Sequence, residues 1–118
     1  MAAYELELQD TTVAGFAVAE VLGELDLTNA DELEKRLAAI VGDAPGLVID
    51  LNKVTFLDSA ALHVLFRIGR ELEGAGKGYG VVVAPSAPVA KTVEMVHLEE
   101  AARIGPTVDD VLGSLQSS

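Results

Sequence analysis

Two short apolar runs, Leu47-Val48-Ile49-Asp50-Leu51 and Gly80-Val81-Val82-Val83-Ala84, constrain this chain more than any other feature. Both are the length of a strand, and apolar residues fill nearly every position, as in a strand covered on both faces. A helical pattern stands before each run. Ala30, Leu33, Leu37, Ile40 and Val41 share one helix face ahead of the first; Ala61, Val64, Leu65, Ile68 and Leu72 do so ahead of the second. Strand and helix in alternation argue for a sheet with helices packed against it.

The start of the chain adds two strands in succession. Tyr4-Glu5-Leu6-Glu7-Leu8 alternates and predicts a short strand. Val13 to Val21 predicts a second, with Gly15 marking a hairpin turn or bulge, and it runs on into Gly23-Glu24-Leu25-Asp26. Thr28 or Asn29 is expected to cap the first helix, with Asp31 and Glu32 favouring its dipole. Gly42 reads as its C-cap and Pro45-Gly46 as a turn. Val54 to Leu57 reads as an extended link, and the second helix as about Ser59 to Glu73. A third helix is expected from Ser86 to Val96, with Ser86 as cap and Pro88 in its first turn. Arg103-Ile104 reads as a short edge strand. Thr107 to Leu115 reads as a last helix with Val108, Val111, Leu112 and Leu115 inward, and residues 116–118 as a frayed tail. The expected class is α/β: one domain over residues 1–118, with a small mixed sheet of four to five strands flanked by about four helices.

Charge narrows the partners. The net charge is −11, from 19 acidic and 8 basic residues, with no Trp and few other aromatics to stack bases. Such a chain repels nucleic acid and anionic membranes, and suits a protein partner with a basic face. There is no Cys, so disulfides and thiolate chemistry are excluded. Residues 1–10 lack a signal-peptide pattern, and no run approaches the length of a membrane helix, so the expected location is the cytoplasm.

Several constellations bear on chemistry. Ser59, His63 and Asp58 spell a hydrolase triad, but all lie in one segment with no Gly-x-Ser-x-Gly elbow. His63 and His97 lack metal-ligand spacing; Asp26, Asp50 and Asp58, each near a predicted strand or loop end, would have to converge to hold a cation. The glycines from Gly74 to Gly80 follow a helix and precede a strand, the reverse of a phosphate-binding loop, and no Ser or Thr follows Lys77. No cofactor is expected and the chain reads as a non-enzyme. Leu57-Asp58-Ser59-Ala60-Ala61-Leu62 is the informative segment. By itself it supports only a helix cap. The helical wheel, however, sets Ser59, Leu62, His63, Phe66 and Arg70 on a stripe beside the core face. An apolar ring in line with a Ser, a His and an Arg fits either a docking surface or packing under a neighbour.

Three blocks in order carry a resemblance. They are Gly23-Glu24-Leu25-Asp26-Leu27-Thr28-Asn29-Ala30, then Val48-Ile49-Asp50-Leu51 with Val54-Thr55-Phe56-Leu57-Asp58-Ser59, then Ala84-Pro85-Ser86-Ala87-Pro88-Val89. Together they resemble the STAS domain, shared by sulfate transporters and anti-sigma factor antagonists. A free-standing domain of this length is most similar to the bacterial antagonists. The resemblance implies that the chain binds an anti-sigma factor, usually a serine kinase, and thereby releases a sigma factor. It implies that the kinase phosphorylates Ser59 to switch binding off and that a phosphatase reverses this. With the helical stripe, the expected partner face is Asp26, Thr28, Asp58, Leu62, His63, Phe66 and Arg70. Ala61 and His63 stand where the family usually has glycine. The alternative is a STAS subunit of another assembly, in stress signalling or lipid transport, with Ser59 only a cap. Monomer and weak dimer are both open.

Overall fold

The computed structural model describes residues 6–116, so Tyr4 and Glu5 of the expected first strand, and Ser117 and Ser118 of the expected tail, lie outside the described residues. The elements run β1 (Glu7–Val13), β2 (Phe16–Leu25), α1 (Ala30–Val41), β3 (Gly46–Leu57), α2 (Ser59–Gly74), β4 (Gly78–Val82), α3 (Ala90–Met95), a 3₁₀ turn (Leu98–Glu100), β5 (Arg103–Gly105) and α4 (Val108–Gln116).

The five strands form one sheet in sequence order, β1-β2-β3-β4-β5. β1 and β2 pair antiparallel as a hairpin; the remaining neighbours pair parallel. The hairpin loop is Ala14-Gly15, closed by the Val13–Phe16 pair, and both loop residues have positive φ, the primed geometry that suits a right-handed strand twist. Val13 therefore ends the first strand and does not begin the second. The successive parallel crossovers of one hand put α1 and α2 on the same face.

That face holds the larger core. Leu33, Leu37 and Val41 of α1 and Ala61, Val64, Leu65, Ile68 and Leu72 of α2 pack on Ala19, Val21, Leu47, Ile49, Leu51 and Val81. Arg67 of α2 clamps α1 by paired hydrogen bonds to Glu34, at 2.7 and 3.0 Å. The buried Tyr79 hydroxyl donates to the Leu65 carbonyl at 2.8 Å, and burial pushes its pKa up. The opposite face is covered by α4, whose Val111 and Leu112 sit on Val18, Val48 and Val82. Gly80 makes this approach possible: a Cβ there would stand 2.2 Å from Val111 Cγ1.

Four expectations need correction. The extended link from Val54 to Leu57 belongs to β3, which is one strand of 12 residues. It accommodates extra residues against β2 through register shifts between Glu20/Leu22 and Gly23/Glu24; such bulges interrupt the simple alternation that sequence reading follows. The segment from Gly74 to Gly80, whose glycines predict a loop, is mostly structured, since α2 reaches Gly74 and β4 starts at Gly78. The third helix is shorter than expected: α3 begins at Ala90, and Ser86 lies in the preceding turns without capping it. Gln116 is the last residue of α4 and not part of a frayed tail.

Candidate functional site

The site forms where two loops meet at the carboxyl ends of β2 and β3. The β3–α2 junction is a single residue, Asp58, in extended conformation. Its carboxylate caps the helix, with Oδ1 accepting from the Ala61 amide at 3.0 Å. Helix starts leave such amides without internal partners, so a carboxylate here satisfies one and favours the dipole. The other oxygen, Oδ2, reaches 31 residues back and accepts from the Leu27 amide at 2.9 Å. The Asp58 amide donates to the Leu25 carbonyl at 3.2 Å. One residue thus caps α2 and pins the β2–α1 turn to it.

The turn itself is rigid by its own bonds. Asp26 Oδ1 accepts from the Thr28 amide at 2.9 Å and from the Thr28 hydroxyl. The Asn29 side chain is buried; it accepts from the Asp26 amide at 3.0 Å and donates to the Glu24 carbonyl at 2.9 Å. Neither Thr28 nor Asn29 caps α1 with its side chain, contrary to expectation. Both are spent on the turn, a competing use to which short polar side chains are prone.

Ser59 is the first residue of α2 and is exposed. Asp58, not Ser59, fills the capping position, and the Ser59 hydroxyl makes no hydrogen bond among the described residues. The physical basis for reading Ser59 as a mere cap is therefore absent. One turn on, His63 is exposed, while Leu62 and Phe66 are half-buried and packed against the core edge. Ala61 is fully buried, so the methyl group that replaces the family's glycine points inward. Arg70 shares the stripe but not the place. Eleven residues along α2 put it roughly 16 Å from Ser59, where it lines a cleft of about 560 Å³ with Glu73, Lys77, Glu99 and Arg103.

The structure brings together Asp26, Thr28, Asp58 and Ser59, and it adds one residue that sequence reading missed. Leu27 is 77% exposed, between the buried Leu25 and Asn29. Its only signal is an apolar residue inside a turn otherwise made of Asp, Thr and Asn. Helical and strand periodicities do not apply to turns, so nothing marked it as outward.

The other chemistries do not assemble. Both Asp58 oxygens accept from backbone amides, and no hydrogen bond links Asp58, His63 and Ser59 among the described residues. Asp50 lies within β3, accepting from the Asn52 amide, and does not join Asp26 and Asp58. No group of three or more metal-binding side chains gathers among the described residues. His97 is occupied with Glu99 at 3.1 Å. Nor is any helix among the described residues long and apolar enough to cross a membrane.

A mixed sheet with a β-hairpin at one edge, two helices on one face, and a serine at the start of the second helix beside an Asp-rich turn together define a STAS domain. The family's sequence profile matches residues 7–111, and the chain belongs to the STAS-domain family. It is 34% identical over 99 residues to the anti-sigma-F factor antagonist RsfB of Mycobacterium tuberculosis, covering 83% of this chain and 80% of that protein. Among solved structures it is similar to an anti-sigma factor antagonist from Mycobacterium paratuberculosis, 33% identical with a TM-score of 0.85, covering 98% of this chain and 97% of the other. A Thermotoga maritima protein shares the fold at a TM-score of 0.81 and 19% identity, over 92% of this chain and 94% of that one.

Proposed function

We propose that this protein is an anti-sigma factor antagonist: it binds an anti-sigma factor in the cytoplasm and so frees a sigma factor. The relatives at 33–34% identity carry that name over most of their length. The observation that carries the reading further is Ser59, exposed, relieved of capping duty and set beside a rigid acidic turn. In this reading the anti-sigma factor is an ATP-dependent serine kinase and Ser59 is its substrate. The Ser59 oxygen bonds to the γ-phosphorus of ATP, the bond from that phosphorus to the bridging oxygen breaks, ADP leaves, and the hydroxyl proton passes to a base on the kinase. A phosphatase restores the hydroxyl by hydrolysis.

The physics of the switch is local. Phosphate adds about −1.5 to −2 charge. The helix start tolerates it, since free amides point toward it. Docking does not, because a partner that buries Leu27 and Leu62 would have to desolvate the new anion beside them. The acidic turn calls for a partner with a cationic rim around an apolar pocket. Incubating the protein with the candidate kinase and ATP, then locating phosphate by mass spectrometry, tests the assignment. Phosphate is expected at Ser59 and absent in Ser59→Ala; phosphate elsewhere, or none, overturns it.

A further inference from the structure

We infer that Asp58 couples the charge at position 59 to the placement of Leu27, so that modifying Ser59 releases an apolar anchor as well as adding charge to the interface. The inference rests on the reading of Ser59 given above. Two facts carry it. The Asp58 carboxylate divides its oxygens between its own helix, at Ala61, and the neighbouring turn, at Leu27. And that turn, stiffened internally by Asp26, Thr28 and Asn29, is joined to the start of α2 by the Leu27–Asp58 bond, while the Asp58 amide holds Leu25 at the end of β2. The turn is thus braced by its own bonds, and Asp58 fastens it to α2.

Leu27 is what the fastening presents. A leucine side chain 77% exposed is costly to leave in water unless something covers it. Here its amide is held by the Asp58 carboxylate, Asp26 precedes it in the turn, and Asp31 and Glu32 lie in the first turn of α1. The occupant that fits is the anti-sigma factor itself, through an apolar pocket ringed by Lys or Arg, in continuity with the Ser59 face.

An anion at Ser59 disturbs this arrangement through one atom set. Phosphoserine and Asp58 are adjacent, and both compete for the amides at the start of α2. Repulsion between them at close range is substantial. The arrangement that relieves it gives the Ala61 amide to the phosphate and rotates the carboxylate away, which removes the acceptor from the Leu27 amide. Asp58 is thus a positioning residue, and Leu27 is the group that it positions.

Amide hydrogen exchange, resolved by NMR, tests the coupling without a partner. Leu27 exchange is expected to speed up roughly tenfold or more in Asp58→Asn and in Ser59→Glu, but little in the neutral Ser59→Gln. Amides of α1 should be unchanged in all three, which separates unfastening from unfolding. Equal Leu27 exchange in Asp58→Asn and wild type, or equal exchange in Ser59→Glu and Ser59→Gln, overturns the proposal. Leu27→Ala should also weaken binding of the kinase used above by roughly tenfold; unchanged binding removes Leu27 as the anchor. If Leu27 responds as stated but mass spectrometry finds no phosphate on Ser59, the coupling stands and the kinase reading falls. If Ser59 is phosphorylated and Leu27 does not respond, the coupling falls and the kinase reading stands.

Discussion

Ala14 carries a positive φ of 53° in the two-residue loop of the β1–β2 hairpin, a conformation that L-residues with a Cβ resist and that Asn and Gly accept. Replacing Ala14 by Asn should therefore stabilise the protein by roughly 1 kcal/mol, read as a higher urea midpoint; an unchanged or lower midpoint would contradict the turn geometry. Gly15 gave the turn away in the sequence, but the glycine alone did not say whether it followed one strand or bulged within another. The same limit applies at the site. Asp58 before an apolar helical run was legible as a start signal, and Ser59 as its neighbour. Which of the two capped was not legible, because both residue types do so. Asn29 does occupy the N-cap position of α1, but its amide group serves the turn and makes no capping bond to the helix. Leu27 was harder to read, because no periodicity governs a turn and the bond that holds its backbone comes from a residue 31 positions away.

At the level of elements, the helices were the most legible parts. The core positions of α2, from Ala61 to Leu72, are all buried, as 3.6-residue periodicity requires. β3 was harder, since bulges break its alternation. α3 was overextended because Ser86 and Pro88 look like a helix start yet lie in turns. What no pattern could show is the clamp between helices. Arg67 and Glu34 lie 33 residues apart and meet only because α1 and α2 share a face. Hydrogen bonding from Arg67 holds the Glu34 carboxyl below its ordinary value of 4.5. A lowered carboxylate pKa means that the unfolded state binds protons first. The stability contributed by the pair is thus complete above 4.5 and lost as pH falls through the lower folded value. Glu34→Gln should be less stable than wild type at neutral pH, with the difference closing in that acid window. A difference that persists at the acid limit would mean that the charge pair is not its source. Because the pair is solvent-facing, its contribution should also shrink with salt.

The whole molecule is a sheet with unequal covering. Helices α1 and α2, with Val93 of α3 and Leu98 of the 3₁₀ turn, build a large core on one face, and among the described residues α4 is the helix that serves the other. The mixed topology was legible from two early strands followed by alternation, and the order of three sequence blocks reached the family. The spatial meeting of those blocks was not legible. The fold brings the first and second blocks together through Asp58, and it leaves Arg70 at the far end of α2, beside a different cleft. The net charge of −11 is a molecular property with a local consequence, since a phosphate at Ser59 would add a further anion to a chain already acidic. The central claim is that Ser59 switches a docking face. Its most direct measurement is calorimetric binding of the anti-sigma factor to the unmodified protein and to protein phosphorylated stoichiometrically at Ser59. The account predicts tight binding of the first and an affinity at least roughly tenfold weaker for the second, a loss of about 1.4 kcal/mol or more. Equal affinity for the two forms would contradict it.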